Sequence, residues 1–161
     1  MHPRAASLIR ELALQPHPEG GFYREVFRSA LGVRPDDGRP ARSALTVIYF
    51  LLAGGGHSRW HRVASDEAWC WIEGDPLELF RVDADGEDCI REMLGAPGEE
   101  CEGVRVVPAG QWQAARTTGD YTLVSCAVGP GFDFADFALL ADHPLEADAV
   151  RHRFPHVAGM I

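Results

Sequence analysis

The sequence predicts an all-β fold: an antiparallel, jelly-roll-like barrel with a short helix outside it at the N-terminus. Three observations predict it. Turn signals recur about every 8–12 residues from Gly54 onwards, the rhythm of an all-β sandwich or barrel. Glycine and proline, 17 and 11 in 161 residues, are spread along the chain, as many short strands joined by tight turns require. Two spaced motifs, one from Gly55 to Gly74 and one from Pro108 to Gln113, stand in order along that strand-rich stretch.

The elements follow in turn. Ser7 to Leu14 reads as an amphipathic helix, with Leu8, Ile9, Leu12 and Ala13 at helical spacing and Pro16 and Pro18 ending it. Gly20-Gly21 turns the chain into Phe22 to Arg28, where residue types alternate as in a strand. Leu31 to Arg42 is rich in Pro, Gly and Asp and reads as a loop. Ser43 to Leu52, rich in β-branched and aromatic residues, reads as a buried strand. Further strands are expected at Ser58–Val63, Glu67–Glu73, Leu77–Val82, Cys89–Leu94, Gly103–Val107, Gln111–Ala115, Tyr121–Val128 and Phe137–Leu140. Turns between them fall at Ala64 to Asp66, Gly74 to Pro76, Asp83 to Gly86 and Thr117 to Asp120. The chain is thus read as one domain over 1–161: a helix within 1–15, a barrel over about 22–140 and a charged tail, 141–161, with room for a short helix.

Composition excludes some functions. The net charge of -9 repels phosphate backbones and anionic lipid, so neither nucleic acid nor membrane is an expected partner. The longest apolar run, Leu45 to Ala53, is too short to span a bilayer, and Met1 to Gln15 lacks the apolar core of a signal peptide. Cys70, Cys89, Cys101 and Cys126 form no close pair, so a zinc ribbon is not indicated and reduced thiols in the cytoplasm are expected.

The chemistry concentrates between Gly55 and Gly74. With a hairpin at Ala64 to Asp66, His61 and Val63 point to one face of the first strand. Glu67, Trp69 and Trp71 on the return strand share that side, so an imidazole, a carboxylate and two indoles converge. Such a set suits an apolar pocket with a few polar groups.

This spacing resembles the first motif of the cupin superfamily, G(X)5HXH(X)3-4E(X)6G, through Gly55, His61, Glu67 and Gly74, with Val63 where the second His would stand. Pro108, Gly110 and Gln113 are similar to the second motif, PXG(X)2H, with Gln113 in place of its His. A fuller likeness, to the uncharacterised Cupin-five family, lies in His17 to Glu25, Thr46 to Leu52, Trp60 to Val63, Ser65 to Trp69, Gly74 to Leu77, Pro108 to Gln113 and Val128 to Phe134. The resemblance implies a double-stranded β-helix barrel, commonly a homodimer, around a small-molecule pocket, and it implies no reaction.

Three functions compete for that pocket. The favoured one is a metal-independent isomerase or epimerase acting on a small organic ligand, sugar-like in the nearest analogy. In it His61 moves a proton, Glu67 sets its charge and Tyr23 supplies a phenolic donor. The second is a binding module in which the same pair orients a ligand without chemistry. The third is a metal-dependent oxygenase holding a divalent transition metal on His61, Glu67 and Gln113. It is the least favoured, because Val63 offers no ligand and Gln113 only a weak one; His57 is a remote substitute. No cofactor is therefore expected. Gln113, Trp69, Trp71, Val63 and Glu19 are the expected ligand-binding residues. For Glu19 and the adjacent glycines a plain turn competes with a pocket lid, and the turn is preferred. For Trp69 and Trp71 stacking competes with core packing, and Phe132, Phe134 and Phe137 read as core. Cys70 faces away from Glu67 by alternation, which disfavours a Cys–His nucleophile with His61.

Overall fold

The structure is a computed structural model that describes residues 1–83 and 86–161. Its strands, in chain order, are β1 (Gln15–Pro16), β2 (Phe22–Arg28), β3 (Gly32–Val33), β4 (Arg42–Ser43), β5 (Thr46–Ala53), β6 (His57–Val63), β7 (Asp66–Gly74), β8 (Leu77–Val82), β9 (Cys89–Leu94), β10 (Val104–Val107), β11 (Trp112–Thr117), β12 (Tyr121–Gly129) and β13 (Phe137–Leu139). One sheet has six strands in the order β1-β2-β5-β12-β7-β10, and the other five in the order β13-β6-β11-β8-β9. All neighbours within them pair antiparallel.

Residue parity decides which side chains meet between the sheets. Phe50, Leu52, Trp69, Val124 and Cys126 of the first sheet pack with Leu77, Leu79, Leu94 and Ala115 of the second. That apolar cluster fills one part of the barrel and leaves another part hollow. The opposite parity on the five-stranded sheet, Trp60, Phe80, Val82, Trp112 and Ala114, is covered by the C-terminal tail. The tail forms helix α2 (Pro144–Arg153) and a last turn, and seats Ala147, Val150, Val157 and Met160 on the sheet. The Trp60 indole N–H donates to the Val157 carbonyl at 3.0 Å. The tail, read as charged from its sequence, is thus a built part of the fold.

Helix α1 is the N-terminal helix and covers part of the six-stranded sheet's outer face through Ala5 and Leu8 on Leu51 and Leu123. It spans Pro3–Glu11, earlier than the 7–14 expected. The His2 ring accepts from the Arg4 backbone N–H, and Pro3 occupies the first turn, where its missing N–H costs nothing. Ala13 then takes a positive φ of 50°, so Leu14 reaches the same cluster from extended chain. The polar stretch 31–42 carries a short ladder, Gly32 opposite Ser43 and Val33 opposite Arg42, where only a loop was expected. Asp136 anchors this region by accepting from Arg42 at 2.8 Å through both its oxygens and from Arg39 at 2.9 Å. The expected turn at Asp83 to Gly86 has its centre, residues 84–85, outside the described residues.

Candidate functional site

The hollow part of the barrel is a cavity of about 430 Å³. Inward positions of β5, β6, β7 and β12 line it: Thr46, Ile48 and Phe50; His61 and Val63; Glu67; Cys126 and Val128. The segment before β2 adds His17 and Glu19, β2 adds Tyr23, and Phe132, Phe134 and Phe137 close one wall.

Glu19 reaches the site on a strap, His17 to Gly21, that crosses β6. The Arg59 N–H donates to the Glu19 carbonyl at 2.7 Å. Gly20 and Gly21 carry φ of 111° and 68°, and at Gly20 a Cβ would stand 2.4 Å from the His57 carbonyl oxygen. Only glycine allows so close an approach in that conformation. The strap therefore buries the Glu19 side chain instead of leaving it on a surface turn, the reading preferred from sequence.

Four titratable groups then converge. Glu19 Oε1 accepts from the Ser58 hydroxyl at 2.9 Å, and Oε2 lies 3.2 Å from His61 Nε2 and 3.4 Å from His17 Nδ1. His61 Nδ1 donates to the Arg59 carbonyl at 2.8 Å, and because a carbonyl only accepts, this bond fixes the proton on Nδ1. The Nε2 lone pair is left facing Glu19, which fits a protonated Glu19 donating to it. Burial pushes the Glu19 carboxyl up to about 8, only partly offset by the Ser58 bond. Burial lowers His61, and lowers His17 to about 4 with help from His61. Burial also raises Glu67 to about 7, against the opposing pull of His61.

Glu67 is held from behind. Gln113 Nε2 donates to its Oε2 at 2.6 Å, and Gln113 Oε1 accepts from the Trp69 indole at 3.0 Å. An indole N–H can only donate, so Trp69 fixes which end of the amide faces Glu67. Gln113 thus presents N–H, not oxygen, towards the site. Cys126, whose thiol burial raises well above its ordinary range, sits against the same carboxyl.

Several expectations change here. Gln113, Trp69 and Trp71 do not line the cavity. Trp69 points inward, as its parity requires, but into the filled part of the barrel beside Phe50, at 5.8 Å between ring centroids. Trp71 lies next to a register shift between Leu123 and Val124 and packs against the same core cluster. The aromatic wall is instead Phe132, Phe134 and Phe137, which were read as core. Arg62 lies outside, stacked 4.4 Å over Trp112, and His57 lies in a separate groove with Arg116 and His156. His17 was not singled out from sequence. The signal for it is its two-residue spacing from Glu19, which in extended chain puts both side chains on one side.

The residues weighed as metal ligands, His61, Glu67 and Gln113, are engaged in contacts of their own. Val63 stands where one imidazole would be, Gln113 turns an N–H inward, and His61 Nε2 is engaged by Glu19. Among the described residues no group of three or more His, Cys, Asp or Glu is disposed to hold a metal ion. A lysine Schiff base is not available, since all 15 Lys and Arg positions are arginine.

A model of the family described as Cupin superfamily (DUF985) matches residues 6–140. A solved protein of Shewanella oneidensis is 32% identical, covers 97% of this chain with 95% of its own, and superposes with a TM-score of 0.84. A hypothetical protein from Leishmania major is 34% identical over 98% of this chain and 96% of its own, with a TM-score of 0.83. Oxalate decarboxylase from Bacillus subtilis shares the fold alone, at 15% identity and a TM-score of 0.59, over 87% of this chain and 34% of its own. Among curated proteins, none matches the chain.

Proposed function

From the chain's place in the cupin superfamily, as a member of the DUF985 family, we propose that the barrel cavity binds a small organic molecule and moves a proton on it without a metal, as an isomerase or epimerase does. The observation that carries this reading is Glu67. It is a carboxyl in the wall of the cavity, held by Gln113 and raised by burial to about 7. A carboxyl titrating near neutrality is both a competent base and a competent acid there.

The roles differ from those expected of the sequence. His61 is held neutral by burial, with its free lone pair engaged by Glu19. In the proposed reaction Glu67 takes a proton from an activated C–H of the ligand and returns it to the same or a neighbouring carbon. No oxidant, reductant or second substrate is consumed. The Glu19–His61 pair holds a further proton beside the ligand, and Tyr23, which lines the cavity, adds a phenolic O–H.

The test starts from a ligand found by thermal-shift screening, incubated in deuterated solvent and followed by mass spectrometry. Glu67→Gln keeps the shape and the Gln113 contact but cannot relay protons. Deuterium incorporation is expected to drop by about a hundredfold or more while binding persists. Exchange that survives in Glu67→Gln rejects the assigned base. Binding with no exchange in the parent chain makes the protein a binding module.

We also propose a homodimer in the cytoplasm. The edge strand β10 carries Val104 and Val106, 54% and 53% exposed, with Ile72 beside it on β7 at 40%. A second copy would cover this edge. The four thiols are all free, as a reducing compartment favours, and no described helix is long and apolar enough to cross a membrane. Sedimentation at micromolar concentration is expected to give twice the 17.7 kDa chain mass, and Val106→Asp to give the single-chain mass. A parent chain sedimenting only at the single-chain mass removes the dimer.

A further inference from the structure

We infer that the ligand of the cavity is a small organic cation, with an ammonium group against Glu67 and an apolar body among the rings of Tyr23, Phe50, Phe132, Phe134 and Phe137. This rests on the pocket reading above and adds its substrate class.

Charge is the first argument. The acids of the cavity wall are Glu19 and Glu67 within and Glu25 and Asp133 towards β2 and the Phe132 wall. Two arginines, Arg24 and Arg28, also border the cavity, and both are exposed. Arg28 is paired with both oxygens of Glu25, at 2.9 and 2.7 Å, and also donates to the Phe132 carbonyl. Arg24 is directly opposite Tyr49, whose side chain packs with the α1 cluster on the outer face. Directly opposed residues of antiparallel strands project to the same side, so Arg24, although it borders the cavity, starts from the outer side of β2, while Tyr23 and Glu25 start from the inner one. His17 and His61 are both lowered by burial and stay neutral at physiological pH. A carboxylate or phosphate ligand against Glu67 would thus meet no arginine there, since Arg24 and Arg28 belong to the exposed part of the cavity lining.

The walls are the second argument. Phe132, Phe134 and Phe137 lie within 6.1 Å of one another, centroid to centroid, in edge-to-face arrangements. Aromatic faces attract a cation through their quadrupole. Between these rings the wall is Ile48, Val63 and Val128, carbon surface that offers a sugar's hydroxyls no partner. Thr46 Oγ1 already accepts from the Phe132 N–H.

Glu67 is the third argument. It is only 6% exposed, yet its carboxyl borders the cavity, and two donors, the Gln113 amide and the Cys126 thiol, satisfy part of its capacity. A carboxylate has about four acceptor sites. An ammonium group supplies the missing donors and the missing charge together. Its positive charge also acidifies a neighbouring C–H, the bond that the proposed chemistry must break.

Calorimetric titration of the full chain with three probes of like shape tests the inference: 2-phenylethylammonium, 2-phenylethanol and phenylacetate. The ammonium is expected to bind about tenfold or more tighter than the other two. It is also expected to release a proton near neutral pH, because a cation favours ionised Glu67, and the heat will then depend on the buffer's ionisation enthalpy. Glu67→Gln is expected to lose the preference and the proton release. Phe134→Leu, at a half-exposed ring, is expected to weaken the ammonium several-fold without lowering the melting temperature. Equal or tighter binding of the alcohol or the carboxylate overturns the inference, and if that binding is lost in Glu67→Gln the pocket reading survives. Failure of all three probes below about 10 mM overturns the inference, and the deuterium experiment then decides the pocket reading separately.

Discussion

Gly20→Ala is expected to destabilise the protein by about 3 kcal/mol or more, the largest effect of any single methyl group added to the strap. Two costs combine. The φ of 111° lies where residues with a Cβ are strained. The added carbon would also stand 2.4 Å from the His57 carbonyl oxygen and 3.5 Å from its carbon, which are backbone atoms of β6 and cannot rotate away. Relief requires the strap to lift, and lifting it breaks the Arg59 N–H to Glu19 carbonyl bond and the Ser58 bond to the Glu19 carboxyl. The variant should therefore lose Glu19 from the cavity along with stability. Gly110→Ala is the control. Its φ is 79°, but nothing lies within 4 Å of the added carbon, so only the conformational strain of about 1 kcal/mol remains. Thermal or urea unfolding of the two variants measures the difference. Equal losses would mean that the strap is not seated on β6 as described.

That strap also shows what the sequence could and could not convey. Gly20-Gly21 after two prolines has the same local signature whether the chain turns in solvent or is laid across another strand. The difference lies in β6, more than thirty residues away in sequence, and no local pattern encodes that contact. His61 and Glu67 were legible because they flank one short hairpin, where strand parity alone brings their side chains to one side. The same parity places Trp69 inward, and it does point inward. Parity cannot tell which part of the barrel is filled and which is hollow, and that decides whether an inward residue is core or wall. Trp71 is further removed by the register shift opposite Leu123 and Val124, which no turn residue announces. Phe132, Phe134 and Phe137 have neither helical nor strand periodicity over most of their span, so their gathering on one wall had no sequence signal beyond composition. The fold itself was legible throughout, because the turn rhythm and the two motifs repeat the same message at many independent positions.

The buried carboxyls Glu19 and Glu67 are expected to make stability fall between about pH 6.5 and pH 8 in the parent chain, by roughly 2–3 kcal/mol. Glu67 and Glu19 are raised from an ordinary 4.5 to about 7 and about 8. Above pH 4.5 the unfolded carboxyls have lost protons that the folded ones keep. The folded state then binds more protons, and raising the pH favours unfolding until each folded value is passed. His17, lowered to about 4, and His61, also lowered, act in the opposite sense. Between about pH 4 and 6.5 the unfolded imidazoles hold protons that the folded ones do not, so their share of stability rises with pH. The two effects oppose each other below about pH 6.5. Above it the unfolded histidines are neutral too, and only the carboxyls remain. From there to pH 7 both carboxyls contribute, and from pH 7 to 8 Glu19 alone, at about 1.4 kcal/mol per pH unit for each proton. For a chain of this length the loss corresponds to a melting temperature roughly 5–10 °C lower at the alkaline end. The double variant Glu19→Gln/Glu67→Gln cannot ionise at these positions and is expected to show no such slope, whatever its absolute stability. Thermal melts at half-unit pH steps measure both chains. A parent chain whose melting temperature is flat or rising across this window would show that the two carboxyls are already ionised in the folded protein, and neither could then act as the proton store on which the proposed chemistry depends.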